Sequence, residues 1–162
     1  MRLGKDGYFL TMAELIATRS TCIRRSVGCV LVDARGHVLS TGYNGVAAGL
    51  PHCNEFIDTC GPINDPQPFY SNACVGAFPV GGGGLDNCDA VHAEQNALLQ
   101  CRDVYAIETC YTLLSPCIAC LKLLLNTSCV RIVFREEYTK QPRARELWAS
   151  SPGRIWLKQG EK

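Results

Sequence analysis

The sequence predicts an α/β protein, a mixed sheet with helices on both faces. Three observations carry this. Short apolar runs bounded by turn residues alternate with stretches of helical periodicity. The first two of these runs are joined by a tight turn, so they form a hairpin. After a long irregular stretch, helices and strands alternate to the end of the chain.

Phe9, Met12, Ala13, Leu15, Ile16 and Ala17 recur at helical spacing, which predicts a first helix from Phe9 to Thr18. Val27 to Val32 is an apolar strand, Asp33-Ala34-Arg35-Gly36 a turn, and Val38 to Tyr43 a second strand. Asn44 to Cys88 reads differently. It holds Pro51, Pro62, Pro66, Pro68 and Pro79 and the run Gly81 to Gly84, which predicts an irregular insertion, neither helix nor sheet. Loops this long are usually functional or tied down. Periodicity resumes with Val91, Ala93, Ala97 and Leu98, a helix from about Ala90 to Cys101 with Asp89 as N-cap. Thr109 to Leu114 is a strand. Ser115 as N-cap and Pro116 at the first helical position then open a helix through Cys117, Leu121, Leu124 and Leu125. Val130 to Phe134 is a strand, Pro142 to Ala149 a helix and Ile155 to Leu157 a short last strand.

A chain of 162 residues suits one domain with a normal core, residues 1–162, interrupted by the cysteine-, proline- and glycine-rich insertion at about 44–88. Apolar content of 47% and charged content of 19% are ordinary globular values. The net charge is +1 and no Lys/Arg run exceeds two residues, so no basic face for nucleic acid is expected. Met1 to Gly7 is polar and Tyr8-Phe9-Leu10 is too short for a signal peptide's apolar region. No run approaches the ~18 apolar residues of a membrane span. The expectation is a cytoplasmic protein with no membrane partner, in a compartment where disulfides are rare.

The eleven cysteines then need another explanation. Cys29, Cys110 and Cys129 lie in or beside apolar runs and read as small core residues. Cys22, Cys53, Cys60, Cys74 and Cys88 lie in loop-like surroundings, where thiols suggest metal. Cys22, Cys53 and Cys88 with Cys60 as fourth thiolate, or Cys74 or His52 in its place, would make a closed structural zinc site pinning the insertion to the core. Scattered thiols are the plainer alternative.

The most informative pattern is His92-Ala93-Glu94, followed at a distance by Pro116-Cys117-Ile118-Ala119-Cys120. His92, Cys117 and Cys120 would hold Zn²⁺ through one nitrogen and two thiolates, leaving the fourth tetrahedral position for water. Such a water ionises near pH ~7. Glu94, two residues past the His ligand, would stand close enough to move its proton. A lone Cys-x-x-Cys could be a redox pair or half of a structural site, and a lone His-x-Glu means little. Together, in this order, with a Pro before the first Cys, they resemble the signature of zinc-dependent nucleobase deaminases.

The constellation resembles the cytidine deaminase superfamily. The resemblance implies a three-layer cytidine-deaminase-like fold, a five-stranded mixed sheet flanked by helices. Thr21-Cys22-Ile23-Arg24-Arg25-Ser26-Val27-Gly28 and Gly42-Tyr43-Asn44-Gly45, with Gly49 and His52-Cys53, are similar to the deoxycytidylate (dCMP) deaminase branch. So are His92-Ala93-Glu94-Gln95-Asn96-Ala97-Leu98 with Gln100-Cys101, and Tyr111-Thr112 before Ser115-Pro116-Cys117. The similarity runs from about Phe9 to Leu147 and lapses between Cys60 and Cys88.

The resemblance implies hydrolytic deamination of dCMP to dUMP with release of ammonia, supplying thymidylate synthesis. It gives Glu94 the catalytic proton transfers. The backbone N–H of Ala93 and carbonyl of Ser115 would orient the base, and Asn44 would hold the deoxyribose 3′-hydroxyl. Arg25, with Arg24 as fallback, would meet the 5′-phosphate. It also implies a homohexamer activated by dCTP with Mg²⁺ and inhibited by dTTP. Plainer readings make Asn44 a turn residue and Arg25 a surface charge; His37, Tyr138 and Lys140 read as ordinary turn and loop residues. Competing functions are a deaminase of a nucleoside, free base or RNA, and an inactive zinc-binding regulatory protein, against which the carboxylate of Glu94 argues. Ammonia release from dCMP, cytidine, adenosine and a cytosine oligonucleotide separates them.

Overall fold

The computed structural model describes residues 2–54 and 88–160. Helix α1 (Lys5–Ala17) precedes β1 (Gly28–Val32) and β2 (Val38–Tyr43), then come β3 (Gly45–Val46), β4 (Ala90–Val91) and α2 (Ala93–Gln100). The chain continues through β5 (Thr109–Leu114), α3 (Ile118–Leu125), β6 (Arg131–Glu136), α4 (Arg143–Ala149) and β7 (Ile155–Lys158). Five strands form one sheet in the order β2-β1-β5-β6-β7. β1 runs antiparallel to both β2 and β5, while β5, β6 and β7 are mutually parallel. This is the five-stranded mixed sheet that the sequence led us to expect. Among the described residues, no helix is long and apolar enough to cross a membrane.

Helices cover both faces, and strand alternation divides the core between them. All five residues of β1 are buried, as a strand sandwiched between two layers requires. Val30 and Val32 face Phe9, Leu10 and Ala13 of α1, together with Tyr111 and Val133. Cys29 and Leu31 face the opposite layer, with Ala93 and Ala97 of α2, Leu121 and Leu124 of α3, and Ala144 and Trp148 of α4. Cys110 and Cys129 belong to that layer too, so all three cysteines expected in the core are there.

Several boundaries differ from expectation. α1 begins one turn early, at Lys5, because Asp6 in its first turn is held by groups distant in sequence. Its carboxylate accepts two bonds from the Arg131 guanidinium, at 2.7 and 2.8 Å, and one from the Tyr111 hydroxyl at 2.9 Å. The insertion is not irregular from its first residue: Gly45–Val46 pairs with Ala90–Val91, which were expected to start a helix. Helices α2 and α3 both start later than predicted. Asp89 does not cap α2; His92 takes the N-cap position in extended conformation, and the Gln95 side chain accepts its N–H at 2.9 Å. Ser115 does not cap α3 either. Its hydroxyl accepts the Tyr138 N–H at 2.7 Å, and Cys117 occupies the N-cap position. A single 3₁₀ turn, Val104–Ala106, had no signal in the apolar pattern. The extent of the insertion from 55 to 87 lies outside the described residues.

The Asp6–Arg131–Tyr111 cluster pins α1 across β5 and β6. The paired guanidinium holds the Asp6 carboxyl below the usual carboxylate range. A lowered folded pKa means the stabilisation is complete above the unfolded pKa, near ~4, and is lost as pH falls through the folded value. Asp6→Asn should therefore cost about 1–2 kcal/mol at pH 7, the charge-assisted bonds being discounted for partial exposure. Denaturant titrations at pH 7 and pH 3 should show the gap between wild type and variant shrinking in acid.

Candidate metal centre

Three of the expected ligands meet. His92 Nδ1 lies 3.4 Å from Cys117 Sγ and 3.3 Å from Cys120 Sγ, and all three ligand atoms lie within 4.8 Å of one another. A tetrahedral zinc with bonds of ~2.0 Å to nitrogen and ~2.3 Å to sulfur has N···S edges of about 3.5 Å. The observed edges fit that ion with little adjustment. Among the described residues this is the one group of three or more potential ligands so gathered. Cys120 is fully buried, whereas His92 and Cys117 are partly exposed, so the triangle opens outward on one side.

Local structure explains the convergence. His92 is the N-cap of α2, Cys117 the N-cap of α3, and Cys120 lies in α3's first turn. Two helix N-termini thus point at one spot, and their partial positive charge favours thiolates there. The hydrogen bond from Cys120, reinforced by His92 against the cost of burial, pushes the Cys117 thiol down to about 4, while the same bond and burial push Cys120 up.

Glu94 follows in the first turn of α2 and is only 5% exposed. Burial raises its pKa, opposed by its hydrogen bonds and by His92. A buried carboxyl beside Cys120, with its pKa lifted, suits a group that must both take and give a proton.

The Gly42-Tyr43-Asn44-Gly45 stretch fixes this arrangement from below. A Cβ on Gly42 would lie 2.3 Å from both the Ala93 carbonyl oxygen and the Ala97 nitrogen. Only glycine lets α2 press onto β2 so closely. Ser40 Oγ donates to the Ala97 carbonyl at 2.8 Å, and Asn96 Nδ2 to the Tyr43 carbonyl at 2.8 Å, holding the helix there. Ser40 and Asn96 were missed in the sequence, because a polar residue facing a helix backbone has no periodicity to betray it.

Asn44 is buried. Its Oδ1 accepts from Val27 N–H at 2.7 Å and Ser20 Oγ at 2.8 Å, while Nδ2 donates to the Arg25 carbonyl at 2.7 Å. It therefore clasps the loop between α1 and β1, using three of its four hydrogen-bonding positions. Arg25, whose backbone it holds, is half-exposed, and its guanidinium pairs with Glu136. Glu136 ends β6, and its carbonyl accepts the Ser115 N–H at 2.9 Å, so Arg25 and Ser115 lie along one edge. Burial, and then the nearby Cys117, raise the pKa of Tyr138 in the loop after β6, against the pull of Arg24. Ala93 is buried beneath the helix start.

The residues expected at a second metal site are only partly assembled. Cys53 is buried and packs with Ile23, Val46 and Cys88. Cys22 does not join them in a group of three ligand atoms; its N–H donates to Ser20 Oγ at 3.2 Å. Cys60 and Cys74 lie outside the described residues.

Gly42→Ala should force α2 off β2, carrying His92 and Glu94 with it. Overpacking of this kind costs about 1–3 kcal/mol. Thermal unfolding should show that loss, and metal analysis after dialysis should find less zinc retained than in wild type.

Residues 3–136 match the family model of the cytidine and deoxycytidylate deaminase zinc-binding region. A deoxycytidylate deaminase of Mycobacterium phage D29 is 38% identical over 133 residues, which cover 82% of this chain and 94% of that protein. The deoxycytidylate deaminase of Schizosaccharomyces pombe is 34% identical over 150 residues, 88% of this chain; the match spans 40% of that longer protein. The dCMP deaminase of cyanophage S-TIM5, solved in complex with dCMP and dUMP, shares the fold with a TM-score of 0.66. It is 21% identical, over 97% of this chain and 98% of that one. By its zinc-binding region and by relatives similar along most of its length, this chain belongs to the deoxycytidylate deaminase family within the cytidine deaminases.

Proposed function

We propose that the protein catalyses zinc-dependent hydrolysis of dCMP to dUMP and ammonia. The carrying observation is the His92, Cys117 and Cys120 triangle with the buried carboxyl of Glu94 beside it. His92, Cys117 and Cys120 would hold zinc, and the chemistry it would supply there is a water acidic enough to serve as nucleophile toward C4 of the cytosine ring at neutral pH. Glu94 takes the proton that the water loses as its oxygen bonds to C4 and delivers it to ring N3; it then moves the new C4 hydroxyl's proton to the amine, which leaves as ammonia as the C4–N bond breaks and the C4 carbonyl forms. Ala93 N–H and the Ser115 carbonyl orient the base, and Asn44 presents its remaining amide hydrogen to the deoxyribose. Arg25 meets the 5′-phosphate with two parallel hydrogen bonds, exchanging Glu136 for substrate.

The same reading extends further on the family's account. A product such as dUMP feeds thymidylate synthesis, and a cytosolic setting suits both that role and unpaired core thiols such as Cys29 and Cys110, 3.6 Å apart. Activation by dCTP with Mg²⁺, inhibition by dTTP and hexamer assembly follow from the family alone. A second zinc would build on the packed Cys53 and Cys88, with Cys22 and Cys60 completing it.

Three measurements test this. Glu94→Gln should retain zinc and lose about 10²–10⁴ of dCMP turnover; near-wild-type turnover would remove Glu94 from the mechanism. Arg25→Ala should lower dCMP turnover at limiting substrate about ten- to a hundredfold, the loss of one charge-assisted contact. Deoxycytidine, which has no phosphate, should be unaffected by that change. Metal analysis should give two zincs per chain, of which Cys53→Ser loses one; a wild-type value of one refutes the second site.

A further inference from the structure

α3 begins without a cap of its own. Its N-cap position is Cys117, which makes no side-chain capping bond, because its sulfur faces His92 and Cys120. Ser, Thr, Asp or Asn at that position would ordinarily accept a first-turn N–H. Ser115, two residues earlier, is engaged with the Tyr138 N–H instead. The early N–H groups of a helix still need acceptors. One is met from a distant loop: Gln141 Oε1 accepts the Ile118 N–H at 2.9 Å.

That loop is itself braced. It leaves β6 at Glu136 and enters α4 at Arg143. The Gln141 carbonyl accepts the Ala144 N–H at 3.1 Å, and Glu137 pairs with Arg145 of α4 at 3.5 Å. It therefore grips the ligand segment at Ser115 and at Ile118, on either side of Cys117.

We propose that Gln141 is a positioning residue for the metal centre: it supplies the helix cap that Cys117 cannot, and so holds Cys117 and Cys120 one turn apart in ligand geometry. The physical argument is direct. Cys117 and Cys120 reach one ion only while the first turn of α3 is wound. If that turn frays, the two sulfurs separate. Removing the acceptor leaves the Ile118 N–H without its partner and makes fraying easier. The inference rests on the zinc-site reading above, and His92→Ala separates the two. If the site reading holds, that variant loses tight zinc binding whatever Gln141 does.

The test is zinc affinity of the full chain, measured by competition with a chromophoric chelator, beside thermal unfolding with and without zinc. Gln141→Met keeps length and bulk but has no oxygen acceptor, and should bind zinc about 10–100-fold more weakly. Gln141→Glu keeps the acceptor and should bind within about threefold of wild type, a carboxylate being favourable at a helix N-terminus. Zinc should raise the Tm of Gln141→Met less than that of wild type, while Tm in excess chelator stays nearly the same. Wild-type affinity in Gln141→Met overturns the proposal. So does a loss of Tm that is equal with and without zinc, or failure of that variant to fold at saturating zinc, since each makes the residue a general determinant of stability.

Discussion

The approach of α2 to β2 is the constraint on which the site depends. A helix that lies on a sheet ordinarily keeps its axis about ~10 Å away, with side chains filling the gap. Here Gly42 removes the side chain at the contact, and the helix backbone settles onto the strand. Ser40 and Asn96 then bond sheet to helix on either side of that contact. The depth and rotation of α2 decide where its N-terminus points, and therefore where His92 and Glu94 stand. α3 must bring Cys117 and Cys120 to the same spot from its own crossover between the parallel strands β5 and β6. A displacement of α2 by even a fraction of an ångström acts directly on the N···S edges.

Putting all three ligands at helix starts has a chemical consequence. Thiolates and a carboxylate crowd a largely buried space, which burial alone would oppose. The partial positive charge at the two helix N-termini offsets some of that cost without adding a positively charged side chain that would compete for the ligands. It also has a structural cost. α2 keeps a reciprocal capping box between His92 and Gln95, whereas Cys117, its sulfur turned to the other two candidate ligands, does not cap, and α3 takes an acceptor from Gln141 in another part of the chain. The ordinary rule of helix initiation is displaced at α3, where two of the three candidate ligands sit.

That displacement also explains what was legible in the sequence. Strand-level features survived well: β2 and β5 have the expected bounds, the sheet is five-stranded and mixed, and the core cysteines are in the core. Strands that bury both faces announce themselves by composition. The ligands His92, Cys117 and Cys120 were found because metal chemistry limits both residue type and spacing. Helix starts were misplaced because Asp89, Ser115 and Pro116 are strong local signals that tertiary demands overrode. The structural contacts of Gly42, Asn44 and Gln141 went unread. Each acts on backbone atoms brought near only by folding, and no periodicity marks such a contact.

Asn44 shows how structural and functional readings of one residue need not compete. Its side chain is committed to Val27, Ser20 and Arg25, so it is first a clasp. The clasp fixes the backbone of Arg25, and its neighbour Tyr43 gives a carbonyl to Asn96 of α2. One stretch of four residues thus ties the loop bearing the cationic side chains to the helix bearing His92 and Glu94. A phosphate seated on Arg25 would be positioned relative to the metal through a short path of hydrogen-bonded backbone, with few rotatable bonds between. Binding energy gained at a group remote from the ring serves catalysis only when the connection is this stiff, because slack in the path would spend it on conformational entropy. The buried amide contributes this rigid clasp with three of its hydrogen-bonding positions and keeps one amide hydrogen over.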